Sequence, residues 1–399
     1  MKKFFVSALM LAFALSSVSA KDKKKTEDEG YVFTTVKELK ITPVKNQNRT
    51  GTCWCFSTLG FLESELLRMG KGEYDLSEMF IVSKNYKDKA EKFVRLHGEL
   101  NYAQGGSFED VLQAWKDYGI VPESVMNGLQ YGEDMHVHNE LESASRAYLD
   151  QIIKNPNRKL STAWKKGFDG IIDAYLGTAP EKFTYNGKEY TPKSFAAELG
   201  INPDDYVSLT SYTHHPFYSE FAIEVQDNWR WATSYNLPID ELMQVFDNAI
   251  NTGYTIAWGS DVSEKGFTRN GIGVIPDIES MERSGSDQDR WLGLSTSEKD
   301  AEIKKMMEKP CKELEITQEM RQEAYDNYET TDDHGMQIYG ITKDQTGKKF
   351  YMIKNSWGTD NKYKGTWYIS ENFVKYKTMN IVVHKDALPQ AIKDKLHIK

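Results

Sequence analysis

Cysteine is scarce in this chain: its 399 residues hold only Cys53, Cys55 and Cys311. Three thiols cannot make a fully paired disulfide framework, so a fold stapled by disulfides is excluded. Long apolar runs are equally scarce. The one sustained stretch, Phe4 to Leu15, is too short for an ordinary spanning helix, and no later segment is apolar enough to cross a membrane. Basic charge is outnumbered, with 50 Lys and Arg against 59 Asp and Glu and a net charge of −9. Phosphate binding needs concentrated positive charge, so general nucleic-acid binding is not expected. What remains is a chain long enough to bury a large core, with 12% aromatic residues to fill it.

The first residues set an expected compartment. Lys2 and Lys3, the apolar run, and the small-residue end Val18-Ser19-Ala20 read as a secretory signal peptide over residues 1–20, cleaved after Ala20. Export to a periplasm or to the outside follows, and no cysteine stands close behind to carry a lipid anchor. Removing Lys2 and Lys3 takes the net charge to −11. Residues 21–30 are charged and poor in apolar side chains, which predicts a flexible segment before a domain over 31–399.

Cys53 is the most informative residue. It lies six positions after Gln47 and directly before Trp54, at the start of an apolar segment with Phe56, Leu59, Leu62, Leu66 and Leu67 at helical spacing and a stop at Gly70. A thiol at a helix start feels the positive end of the dipole, which lowers its pKa and enriches the nucleophilic thiolate. Such a nucleophile needs a base and a group to hold that base. Both stand near the other end of the chain. His334-Gly335 opens an alternating stretch that reads as a strand, and after a turn at Gly347 a second strand, Phe350 to Lys354, delivers Asn355-Ser356-Trp357-Gly358. Asn355 can accept the imidazole hydrogen bond and fix its tautomer, while Trp357 can shield that bond from water. A further strand is expected at Trp367-Tyr368-Ile369.

Gln47…Cys53-Trp54, His334-Gly335 and Asn355-Ser356-Trp357-Gly358, in that order, resemble the papain-like cysteine peptidases. The resemblance implies an α+β fold of two lobes, Cys53 as nucleophile, His334 as base and acid, Asn355 as orienter, and Gln47 with the Cys53 amide as oxyanion donors. His334 follows Cys53 by 281 positions, which implies a large insertion. Ala103 to Phe108, Tyr118 to Pro122, Leu176 to Tyr185 and Trp258 to Val262 are similar to bleomycin hydrolase and the bacterial aminopeptidase C group, a likeness running from about Val44 to Pro389. That group implies peptide substrates, no metal or other cofactor, and a homo-oligomer, a hexameric ring. It also implies aminopeptidase action, because a C-terminal arm enters the cleft there. Here Gln390 to Lys399 forms a different tail, so papain-like endopeptidase action is the alternative, and a noncatalytic binding scaffold is a second. Only residues 21–43 precede the catalytic block, which leaves no room for a folded inhibitory pro-domain, and Thr50 stands where many relatives place a disulfide cysteine.

The insertion, roughly 122–246, reads as mostly helical, with helices expected over Glu140–Ile153 and Ser161–Leu176. Gly105 and Gly106 are candidate substrate-binding positions, where missing side chains let a peptide backbone approach, and Trp357 is a third; a tight turn before a helix over Phe108–Tyr118 is the plainer reading of the glycines. His136-Val137-His138 and His214-His215 invite a metal reading, but neither pair has partners at ligand spacing, so they read as surface or loop histidines and no metal site is expected. Trp229 and Trp231 read as packing. Cys55 should be buried, and Cys311 has no recognisable partner.

Overall fold

The structure is a computed structural model that describes residues 30–278 and 293–399. The signal-peptide reading of residues 1–20 and nearly all of the charged segment lie outside the described residues. Strand β1 (Thr34–Glu38) leads to helix α1 (Cys53–Arg68), then α2 (Glu78–Arg95) and α3 (Phe108–Tyr118). Helices α4 (Asn139–Ile153) and α5 (Ala163–Leu176) follow, then a small hairpin of β2 (Phe183–Tyr185) and β3 (Lys188–Tyr190), and helix α6 (Pro192–Leu199). Strands β4 (Tyr206–Thr210), β5 (Glu220–Ala222) and β6 (Thr233–Asn236) precede helix α7 (Ile239–Thr252), β7 (Ile256–Ser260) and β8 (Ile272–Gly273). The C-terminal third holds α8 (Thr296–Met306), α9 (Gln318–Asp326), β9 (His334–Lys343), β10 (Lys349–Lys354), β11 (Thr366–Ser370), α10 (Glu371–Lys377), β12 (Thr378–His384) and α11 (Gln390–Leu396).

Two lobes result, each with its own core. Helices α1 to α6 share one apolar cluster, in which Leu59, Phe61, Leu62, Phe80, Val111 and Phe168 are buried. The other lobe packs α7, α10 and α11 against a ten-stranded sheet of order β5-β6-β4-β12-β7-β9-β10-β11-β8, with β1 on β9, around Trp258, Met336, Ile353, Phe373 and Ile392. Nine consecutive residues of β9, from His334 to Thr342, are buried, as expected of a central strand covered on both faces. Among the described residues no helix is long and apolar enough to cross a membrane.

The lobes meet where α1 lies on β9. Ser57, Gly60 and Ser64 recur along α1 at three- and four-residue spacing, and these small side chains let the helix approach the strand. Gln337 Nε2 donates to Ser64 Oγ at 2.7 Å. A Cβ on Gly60 would come within 3.3 Å of Gln337 and Lys354, and one on Gly335 within 2.7 Å of Ser57 Oγ and 3.3 Å of the Trp54 Cα. The expected insertion holds helices α4 and α5 where apolar spacing puts them. It also adds β4, β5 and β6 to the main sheet, with β4 antiparallel to β12. Runs of three to five residues carry too little periodicity to announce themselves.

Candidate active site

Helix α1 starts at Cys53, as its apolar spacing predicts, with the half-buried thiol at the helix N-terminus. The backbone amides of Trp54 and Gly335 both donate toward its sulfur, one from the helix's own first turn and one from the start of β9. His334 is the first residue of β9 and is held in register against Ser260 of β7. The hairpin of β9 and β10 then returns the chain so that Asn355 lies against it.

Asn355 Oδ1 accepts from His334 Nε2 at 2.7 Å and from the Ser356 backbone N–H at 2.7 Å. A backbone amide can only donate, so it fixes the asparagine with oxygen inward, and the imidazole proton with it on Nε2. Nδ1 is then left as the basic nitrogen. The Trp357 indole stacks on the imidazole, centroid to centroid 4.7 Å at 29°, and covers the bond. Asn355 is 1% exposed and His334 5%, so this hydrogen bond is out of water.

Gln47 is buried on the other side of the motif. Its Nε2 donates to the Thr50 carbonyl at 2.6 Å and its Oε1 accepts from Ser356 Oγ at 2.6 Å. The Gln47 backbone N–H also donates to the Ser356 carbonyl at 2.8 Å. One amide hydrogen of Gln47 is thus used locally and the other has no partner among the described residues, while Gln47 is not among the residues lining the cavity that holds Cys53. Ser356 therefore touches both partners: its amide orients Asn355 and its hydroxyl orients Gln47. Sequence reading named it only as a letter in the motif.

Cys53, Trp54 and His334 line one cavity together with Gly106, Phe108, Asn228 and Met379. Four carboxylates share its wall: Glu109, Asp227, Asp332 and Asp333. No sequence signal pointed to Asp227, which comes from the insertion. Gly106 lines the cavity, and a Cβ there would strike Asp110 and Trp54. Gly105 is not among the lining residues, because the place of its Cβ is taken by the Asp227 carboxylate, 1.9 Å away. Trp357 is likewise outside the lining and serves as the cover of His334.

Electrostatics depart from the expected low thiol pKa. Burial pushes Cys53 up to about 12, against the amides of Gly335 and Trp54, with Asp332 and Asp227 adding to the rise. Burial also pulls His334 down to about 4, opposed by its bond to Asn355. Each group alone prefers its uncharged form, because burial disfavours the charge on either and, at the thiol, outweighs the two backbone amides. Imidazolium and thiolate stabilise each other only when both form together. Asp332 is exposed by area, yet its carboxyl is pushed up to about 7, by the protein packed around it and then by Asp227, Asp333 and Glu109.

The other expectations divide. Cys55 is fully buried, as expected, with its thiol on the Glu78 carbonyl at 3.4 Å. Trp229 is packed and donates to Asp110, whereas Trp231 is 59% exposed. His136 and His138 lie on a loop but turn inward rather than to the surface: His138 is 0% exposed, and its ring and that of His136 make an edge contact beside Phe56.

Residues 32–172 match the papain family cysteine proteases, and residues 292–399 match the peptidase C1-like family. An aminopeptidase C of Streptococcus thermophilus is 23% identical over 94% of this chain and 86% of its own length. Aminopeptidase C of Lactococcus lactis subsp. lactis is 23% identical over 88% of this chain and 83% of the relative. The crystal structure of PepW from Lactobacillus rhamnosis superposes with a TM-score of 0.69 at 20% identity, covering 96% of this chain and 92% of that one.

Proposed function

We propose that this chain, a papain-like protein related to the bacterial aminopeptidase C group, is an exported cysteine aminopeptidase with Cys53 as nucleophile. His334 acts as base and acid, Asn355 as its orienter, and Gln47 with the Cys53 amide as oxyanion donors. The observation that carries the reading is the imidazole clamped between Asn355 and Trp357 on the wall of the cavity that holds the thiol. His334 Nδ1 takes the thiol proton and the thiolate attacks the peptide carbonyl carbon. Negative charge on the carbonyl oxygen is met by the free Gln47 amide hydrogen and the Cys53 N–H. The imidazolium then protonates the leaving amine, and a thioester remains. Water, deprotonated by His334, hydrolyses it and returns Cys53 to the thiol.

The acidic wall supports action at a free amino end. Glu109, Asp227, Asp332 and Asp333 concentrate negative charge beside Cys53, and a substrate ammonium group relieves their repulsion. One observation favours endopeptidase action instead. Helix α11 buries Ile392 and Leu396 in the sheet core, and none of the described residues 385–399 lines the cavity. Export rests on the signal-like residues 1–20.

The test is cleavage of one peptide with a free or an acetylated amino end, with Cys53→Ala as control. Stepwise release from the free peptide alone is the expected result. Internal cleavage of both makes the protein an endopeptidase, and the absence of Cys53-dependent cleavage overturns the mechanism.

A further inference from the structure

His214 and His215 follow β4, and Glu224 follows β5, so the turn between these strands brings together three side chains that sequence spacing left apart. One nitrogen or oxygen from each lies within 4.8 Å of the other two. His214 Nε2 is 3.1 Å from Glu224 Oε2, and His215 Nε2 is 3.3 Å from Glu224 Oε1. Two ligands about 2.0–2.1 Å from a tetrahedral zinc ion stand about 3.3 Å apart; each imidazole stands at about that separation from one of the two Glu224 oxygens, inside the 4.8 Å that bounds the group.

The rings are also held in place. His214 stacks on Tyr325 with centroids 5.6 Å apart at 18°, and His215 on Phe221 at 4.2 Å and 21°. The far nitrogen of His214, Nδ1, lies 3.1 Å from Gln322 Nε2 and 3.4 Å from Gln322 Oε1; with Nε2 on an ion, Nδ1 carries the proton and Oε1 is the atom that accepts it. Gln322 is itself fixed, accepting from the Thr213 backbone N–H at 2.6 Å and donating to Asp326 at 2.9 Å. The Tyr325 hydroxyl closes the arrangement by donating to the Glu224 carbonyl at 3.0 Å.

We propose that His214, His215 and Glu224 bind one Zn2+ ion, and that the ion pins the wall of the neighbouring cleft. Two imidazoles and a carboxylate are a zinc donor set, and three protein ligands leave a fourth position open. Glu224 lies between Ile223 and Val225, which line the cavity holding Cys53 together with Asp227 and Asn228. Anchoring Glu224 to the β4 turn fixes the start of that wall.

The experiment uses the full chain carrying Cys53→Ser, so that the active-site thiol cannot take the ion, stripped with chelator and titrated calorimetrically with Zn2+. One ion per chain is expected, and His215→Ala and Glu224→Gln should each weaken binding at least about tenfold. Both residues are partly or fully exposed, and metal-free melting temperatures should be equal across the set. Absence of saturable binding, or binding that both variants leave unchanged, overturns the site. Hydrogen exchange tests the second clause: Zn2+ should slow exchange over residues 223–228 in the Cys53→Ser protein and not with His215→Ala added. Unchanged exchange in the zinc-bound protein overturns the pinning.

Discussion

Ser356→Ala isolates a contact that leaves every proposed catalytic side chain in place. The Ser356 hydroxyl donates to the Gln47 side-chain oxygen at 2.6 Å in a buried setting, while the amide nitrogen of Gln47 stays tied to the Thr50 carbonyl at 2.6 Å. Removing the hydroxyl leaves a buried acceptor without its donor, at a cost of about 1–3 kcal/mol. The Thr50 tie keeps the amide near its place, so the loss should be smaller than that of deleting the oxyanion donor outright, about 2.7–4 kcal/mol for Gln47→Ala. At about 1.36 kcal/mol per tenfold, kcat/KM should fall about 5- to 150-fold for Ser356→Ala and about a hundredfold or more for Gln47→Ala. The assay is a double-mutant cycle on a peptide substrate, with urea midpoints to correct for stability. Once Gln47 is alanine, Ser356 has no side-chain oxygen to hold, so the double variant should be no slower than Gln47→Ala. Independent, multiplying losses would refute the claim that Ser356 acts through Gln47.

Two further outcomes follow from the cavity and its surroundings. Asp227→Asn should raise KM for a peptide with a free amino end and leave kcat unchanged; an unchanged KM would remove the acidic wall from amino-end recognition. The His138 imidazole is buried with no hydrogen-bond partner among the described residues, and burial, then His136, pulls it down to about 3, below its usual 6.5. The unfolded chain therefore binds the extra proton between those values, and His138 takes stability away as pH falls through that window. Raised carboxyls such as Glu78 contribute the opposite sign, so the effect is read by difference: relative to the parent, His138→Phe should gain urea stability between about pH 7 and about pH 4.5. A constant difference would mean that the imidazole is not titrating.

Much of the site was legible because its parts are encoded locally. The helix start at Cys53, the hairpin that carries His334 and Asn355, and the helix over Phe108–Tyr118 each follow from the spacing of a dozen or so residues. What joins them is not local. Asp227 reaches the cavity because β5 and β6 extend the sheet, and those strands are too short to show a period. The thiol shows a second limit. Its position at a helix end can be read from sequence, but the burial that outweighs the two backbone amides depends on how closely β9 and the cleft wall approach it. His214 and His215 show a third, since Glu224 becomes their neighbour only through the strand pairing of β5 with β6.

Gly335 lies between the nucleophile's helix and the base's strand, and its contact with Ser57 and Trp54 joins segments some 280 positions apart in the chain. Contacts of such sequence separation are late events in folding, because loop closure comes before the reward of pairing. A ribosome releases Cys53 early and His334 and Asn355 only after most of the protein has emerged. Through that interval the thiol has neither its base nor the Gly335 amide. A chain assembled in this order completes the proposed site only when its C-terminal third has folded.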